Sequence, residues 1–236
     1  MPAKPIPKAP ARKPAAKRPR RLSPAERERI AEIFTRFEAL AANPSTELEY
    51  SNPYTLVTAV ALSAQATDKS VNKATAVLFA LADTPAKMLA LGETRLTELI
   101  KTIGLYRTKA KNVMATARIL TERYGGEVPL RREALESLPG VGRKTASVVL
   151  NELGVEPAIA VDTHVFRVSH RLNLSKATTP DAVERDLMAA IPDPWRTRAH
   201  HWLILHGRYT CVARRPKCEV CPVADLCPSR ALFTGL

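Results

Sequence analysis

The stretch Leu138-Pro139-Gly140-Val141-Gly142-Arg143-Lys144-Thr145-Ala146 decides how this chain is read. It lies between two apolar-periodic segments, Ala134 to Leu138 and Thr145 to Leu153, each patterned as a helix. Two glycines two positions apart let the backbone turn tightly. They also bring bare N–H groups to the start of the second helix, where the helix dipole favours an anion. Taken alone, the segment is either an ordinary glycine turn or an anion cradle.

Working outward, helical periodicity dominates. Leu96, Leu99, Ile100 and Ile103 recur at helical spacing, and alternating strand patterns with hairpin turns are almost absent. Ser23-Pro24-Ala25-Glu26 combines an N-cap serine, a proline at the first helical position and a glutamate placed to close a capping box, so a helix is expected from there to about Leu40. Asn52-Pro53 and Thr84-Pro85 mark further starts, and Gly92, Gly104 and Gly125 follow apolar-periodic stretches. The expected fold is all-α, with about ten short helices and no internal repeat.

The chain has 236 residues, 45% hydrophobic and 25% charged, enough for one large domain or two small ones with real cores. No stretch approaches the roughly 18 consecutive apolar residues of a membrane helix, and no secretory signal is evident, so a soluble intracellular protein is expected. Residues 1 to 21 hold eight Lys or Arg, six Pro and no acid. Removing that +8 from the total of +13 leaves +5 for the rest. Proline at this density opposes helix, so residues 1 to 22 read as a flexible basic arm, and the charge points to a polyanionic partner.

All four cysteines lie in Cys211-x6-Cys218-x2-Cys221-x5-Cys227. A disulfide scaffold would spread its bridges, so the spacing reads as one metal centre, with zinc and iron-sulfur equally open on spacing alone. Asp162, in Val161-Asp162-Thr163-His164, stands directly before an apolar-periodic run, the ordinary place of an N-cap, and would have a second use if it lay near the glycine hairpin. His164, His200, His201 and His206 show no ligand spacing and are expected to be structural or DNA-facing. The glycine segment looks like a helix-hairpin-helix, whose anion is a nucleic-acid phosphate bound without reading bases.

The hairpin ending in Lys144, the Asp162 segment and the cysteine terminus, in this order, resemble the endonuclease III family, DNA glycosylases and AP lyases of the helix-hairpin-helix superfamily. Leu62-Ser63-Ala64-Gln65-Ala66-Thr67-Asp68, Ile103-Gly104-Leu105-Tyr106 and His200-His201-Trp202-Leu203-Ile204-Leu205-His206-Gly207-Arg208-Tyr209 are similar to further family segments. The resemblance implies Lys144 as nucleophile, Asp162 as catalytic carboxylate, and Cys211, Cys218, Cys221 and Cys227 as ligands of a four-iron four-sulfur cluster. It implies Gln65 and Leu105 as the residues that fill and wedge the gap left by an extruded nucleotide, with Gly140, Gly142, Arg143 and Thr145 on the DNA backbone. It further implies a helix-hairpin-helix glycosylase fold: a six-helix domain over residues 46 to 156, a cluster domain from residues 23 to 45 plus 157 to 236, and Lys144 and Asp162 in the cleft between them.

The implied activity is removal of oxidised or ring-saturated pyrimidines from double-stranded DNA, with strand cleavage at the abasic site, by a monomer in the bacterial cytoplasm. The alternatives are a monofunctional glycosylase of the same superfamily and a non-catalytic iron-sulfur DNA-binding protein. Lys144 and the short segment of nine residues after Cys227 argue against the first, and Lys144 and Asp162 together argue against the second. Deleting residues 1 to 21 is expected to weaken DNA binding most at low salt and leave single-turnover chemistry intact. Each engaged phosphate contributes about 0.9 to the slope of log K against log salt, so titrations should show that slope shallower by a few units.

Overall fold

The computed structural model describes residues 21–235, so the basic arm lies outside the described residues apart from Arg21 and Leu22. The described residues form helices and no strand. In chain order these are α1 (Pro24–Leu40), α2 (Pro53–Leu62), α3 (Asp68–Leu81), α4 (Pro85–Leu91), α5 (Glu93–Ile100) and α6 (Tyr106–Tyr124). There follow α7 (Arg132–Glu136), α8 (Arg143–Glu152), α9 (Thr163–Arg171), α10 (Pro180–Ala190), α11 (Asp193–Tyr209) and α12 (Ala231–Thr234), with short 3-10 turns at Cys218–Val220 and Ala224–Leu226. These twelve α-helices exceed the expected ten because α7 and α12 have only 5 and 4 residues, too few to display a period. No single helix among the described residues is long and apolar enough to cross a membrane.

Helix starts follow local chemistry. Ser23 accepts from the Glu26 N–H while Glu26 accepts from the Ser23 N–H, closing the capping box on α1. Asn52 and Thr55 make the same reciprocal pair on α2 at 2.9 Å each way, and such caps contribute about 1 kcal/mol. The expected start of the helix after the glycine hairpin needs correction. It begins at Arg143 rather than Thr145, because Gly142 itself is the cap residue. Lys144 therefore sits inside the first turn.

Two hydrophobic cores result. One gathers residues from α2 to α8, among them Leu56, Leu62, Leu78, Leu96, Ile100 and Leu150. The other joins Ile30, Ile33, Phe34 and Phe37 of α1 to Val165, Val168, Leu187, Trp202 and Leu203 of α9 to α11, and to Val223 near the C-terminus. Phe34 is fully buried, with the Trp195 and Trp202 rings each 6.2 Å away. Burial of such a side chain is worth about 1.5–3 kcal/mol.

Polar contacts span the halves. Asn151 on α8 donates to the Thr197 carbonyl at 2.9 Å, His201 pairs with Glu152 at 3.1 Å, and Arg208 on α11 pairs with Asp68 on α3 at 2.6 Å. Within the second half, α9 and α11 approach so closely at Gly207 that a Cβ there would lie 2.9 Å from the His164 Cβ and 3.1 Å from a Val168 methyl. Neither atom ends a flexible chain, so the helices themselves must part. Gly207→Ala is expected to cost about 1–3 kcal/mol by overpacking, read as a lower urea midpoint with an unchanged slope.

Candidate active site

Lys144 is carried by a helix start that supplies no acceptor of its own. Gly140 holds φ +79°, and a Cβ there would meet the Asn112 amide at 2.9 Å, so both conformation and space demand glycine. Gly142 caps α8 in extended backbone without any side-chain bond to the first turn. The N–H groups of that turn are thus left for an outside acceptor, at the positive end of the helix dipole.

Asp162 stands at the start of α9 and performs the cap expected of it. Its Oδ1 accepts from the His164 and Val165 N–H groups at 2.8 Å each, which fixes the carboxylate, and Oδ2 takes neither bond. Asp162 also lines the same cleft as Lys144, a hollow of about 450 Å³ bordered by Thr145, Gln65 and His200. Capping and facing the hairpin are therefore compatible in one carboxylate.

Gln65 and Leu105 occupy adjoining loops at the cleft and below it. Both adopt left-handed backbone, φ 55° and φ 59°, and with Asn173 they are the only non-glycine residues to do so among the described residues. For side chains of this kind the conformation costs about 1–3 kcal/mol. Leu105 is 62% exposed, so it is no core contact, and α3 is capped by Thr67 rather than Gln65. Two strained loops thus present an amide and an apolar tip to solvent.

Arg143 has a protein partner. Its Nε and Nη2 both donate to Glu184 on α10, at 3.0 and 2.9 Å, and Asp181 lies 3.7 Å away. Thr145 borders the cleft beside Lys144.

Sequence spacing did not single out the histidine wall. His200 is 3% exposed, lines the cleft, and leaves its Nδ1 without a partner. Burial, then the neighbouring His201, push this imidazole down to about 3 against the pull of Asp162, so the ring is neutral near pH 7. Burial pushes the Glu152 carboxyl up, but His201 and Tyr50 override it and hold the group below the ordinary carboxylate range. The only sequence signal for this wall was the pair His200-His201 inside an apolar helix pattern.

The four cysteines, none of them in a disulfide, line one small cavity closed by Leu172, His206 and Phe233. Four thiols on one cavity are a donor set that a single zinc and an iron-sulfur cluster both use. Burial first, then mutual repulsion, push the Cys218 thiol up, and burial likewise raises Cys221 and Cys227, so the site wants a cationic centre before its thiols ionise. Arg171 supports the loop by donating to Cys211 Sγ at 3.3 Å and to the Val212 and Ala213 carbonyls at 2.8 and 2.7 Å.

Comparison with known proteins places the chain in a family. A family model described as HhH-GPD superfamily base excision DNA repair protein matches residues 58–193, and one described as the iron-sulfur binding domain of endonuclease III matches residues 211–227. Endonuclease III of Treponema pallidum (strain Nichols) is 56% identical over 195 residues, 83% of this chain and 92% of that protein. A trapped endonuclease III-DNA covalent intermediate superposes with TM-score 0.81 at 42% identity, covering 87% of this chain and 97% of that one. A non-covalent endonuclease III-DNA complex gives 0.83 at 41%, covering 89% and 99%. The chain belongs to the endonuclease III family of helix-hairpin-helix base excision repair proteins. It is a DNA glycosylase with a four-iron four-sulfur centre of that family's kind.

The buried neutral His200 has a consequence in acid. Its ordinary value in the unfolded chain is near 6.5 and its folded value about 3, so between these the unfolded state takes up a proton that the native state refuses. Stability is expected to fall as pH drops from about 6.5, by up to about 1.4 kcal/mol per pH unit from this group. His200→Gln should flatten that part of the curve in urea melts at pH 7, 6 and 5.

Proposed function

We propose that this chain removes oxidised or ring-saturated pyrimidines from double-stranded DNA and cleaves the strand at the resulting abasic site. The observation that carries the reading is the shared cleft of Lys144, in the first turn of α8, and Asp162, fixed at the cap of α9. A relative's capture as a covalent complex with DNA supports a nucleophilic route.

The damaged nucleotide must leave the duplex to reach this cleft, at a cost of a few kcal/mol. Leu105 supplies apolar bulk for the gap and Gln65 an amide for the widowed base, which offset part of that loss. The hairpin N–H groups around Gly140, Gly142 and Thr145 hold a backbone phosphate, leaving Arg143 on Glu184 as a brace between α8 and α10.

Lys144, having given up a proton, attacks the deoxyribose C1′ through Nζ. The C1′–N bond breaks and the base leaves with the bonding pair, taking a proton from the site. The ionised Asp162 stabilises the positive charge that grows on the sugar in this step. Opening of the C1′–O4′ bond, with proton transfer to O4′, gives a Schiff base between Nζ and C1′. Loss of a C2′ proton then drives the electron pair toward C3′, the C3′–O bond breaks, and the 3′ phosphate departs. Hydrolysis of the imine returns Lys144. Cys211, Cys218, Cys221 and Cys227 hold the cluster, whose ligation supplies folding energy to a segment with little core of its own.

Borohydride should reduce the imine and trap wild-type protein on abasic DNA. Lys144→Gln is expected to abolish trapping while retaining DNA binding. Asp162→Asn is expected to slow base excision by orders of magnitude and still trap on a preformed abasic site. Wild-type trapping and cleavage rates in Lys144→Gln would place the nucleophile elsewhere, and excision of lesions without any trapping would leave a monofunctional glycosylase.

A further inference from the structure

α8 is tied to the second half of the protein at both of its ends. At the C-terminal end Asn151 donates to the Thr197 carbonyl at 2.9 Å and Glu152 pairs with His201 at 3.1 Å. At the first turn Arg143 makes the tie, donating through Nε and Nη2 to one oxygen of Glu184 at 3.0 and 2.9 Å, with Asp181 3.7 Å away. Two N–H groups converging on one oxygen fix the direction of the planar guanidinium as well as its distance.

Glu184 stands where a carboxylate is hard to keep. It is 9% exposed, beside Val183 and one turn before Leu187, both fully buried in the second core. A buried ion pair often stabilises a protein no better than two apolar side chains of the same volume, so stability alone does not account for this one. Its direction has a use, because the residue after Arg143 is Lys144.

Glu184 and Asp162 stand on one body, since α9 and α10 share a core through Val165, Val168, Val183 and Leu187. Asp162 is pinned there by its two bonds of 2.8 Å. Lys144 belongs to the other body, to which α8 is fastened by Ala146, Val149 and Leu150. The chain leading into its turn constrains it little, with Gly140 at φ +79° and Gly142 capping without a side-chain bond. The place of the amine relative to the carboxylate is therefore set from the other side of the turn, by the contact of Arg143 with Glu184.

We infer that Glu184 is a positioning residue for the excision reaction: through Arg143 it aligns Lys144 with Asp162 in the cleft, and it keeps Arg143 off the DNA backbone. The inference rests on Lys144 as the nucleophile, as proposed above. A misplacement of about 1 Å at the reacting atoms costs about 100-fold in rate. That loss falls on the chemical step and not on DNA affinity.

The test uses full-length holoprotein, with four readouts: single-turnover excision of a ring-saturated pyrimidine at saturating protein, borohydride trapping on abasic DNA, Kd across a salt series, and the urea midpoint. The double variant Arg143→Met with Glu184→Met exchanges the ion pair for apolar bulk. It is expected to keep the urea midpoint, Kd and salt slope of wild type while excision slows by about 10- to 100-fold. Arg143→Lys, which keeps the charge and loses the converging N–H pair, should fall between. Glu184→Gln, which keeps an acceptor oxygen, should retain more of the rate than Glu184→Ala. Wild-type excision in the double variant overturns the inference. So does a Kd weakened in Arg143→Met but not in Glu184→Gln with a salt slope shallower by about 0.9, which makes Arg143 a phosphate contact. Rate losses that track a lowered urea midpoint across all the variants assign the pair to the fold alone and overturn it as well. Wild type that traps while the double variant excises at full rate refutes the positioning role and spares the nucleophile. Lys144→Gln that still traps refutes both.

Discussion

Two helices begin at one cleft, and only one of them brings its own acceptor. Asp162 satisfies two N–H groups of α9 from within the chain, while Gly142 leaves the first turn of α8 to whatever enters from outside. This asymmetry sets the electrostatics of the site. The start of α8 keeps its positive end open, the start of α9 keeps a carboxylate in place, and Lys144 lies in the same hollow. Had α8 carried a serine or aspartate cap, its N–H groups would already be occupied.

The rest of the architecture serves to hold those two helix starts together. α8 belongs to the first core through Ala146, Val149 and Leu150, and α9 to the second through Val165 and Val168. The link between the halves is largely polar: Asn151 to Thr197, Glu152 to His201, Asp68 to Arg208, and Arg143 to Glu184. Directional contacts fix an angle more tightly than apolar burial does, because hydrophobic association is non-directional. A cleft that draws Lys144 from one core and Asp162 from the other depends on that directionality.

What the sequence made legible was local. The α1 capping box, the helical pattern, the glycine hairpin and the cysteine spacing each depend on residues close in the chain, and the resulting helices stand where their caps predict. Lys144 and Asp162 were drawn together by family resemblance rather than by spacing. Features that needed the tertiary fold were not legible. Arg143 meets Glu184 across 41 positions, His201 meets Glu152 only because α11 packs beside α8, and nothing near Lys109 in sequence marks its amine as covered. The cysteine spacing left zinc and iron-sulfur open, because ligand spacing does not report how large a volume the thiols enclose.

The second core is assembled from both ends of the described chain, and this imposes an order on folding. Arg29 on α1 donates to the Leu226 carbonyl across 197 positions, and Arg36 holds Asp225 across 189. On the ribosome, the segment from α2 to α8 has its whole core available well before the C-terminal cysteines emerge. α1 has no such neighbour, and Ile30, Phe34 and Phe37 wait through the synthesis of most of the protein for Val168, Trp202 and Val223. Nascent chains with an orphaned apolar helix are prone to aggregate. The early domain therefore matures as an island while α1 remains unmated until α9 to α11 and the cysteine loop have followed.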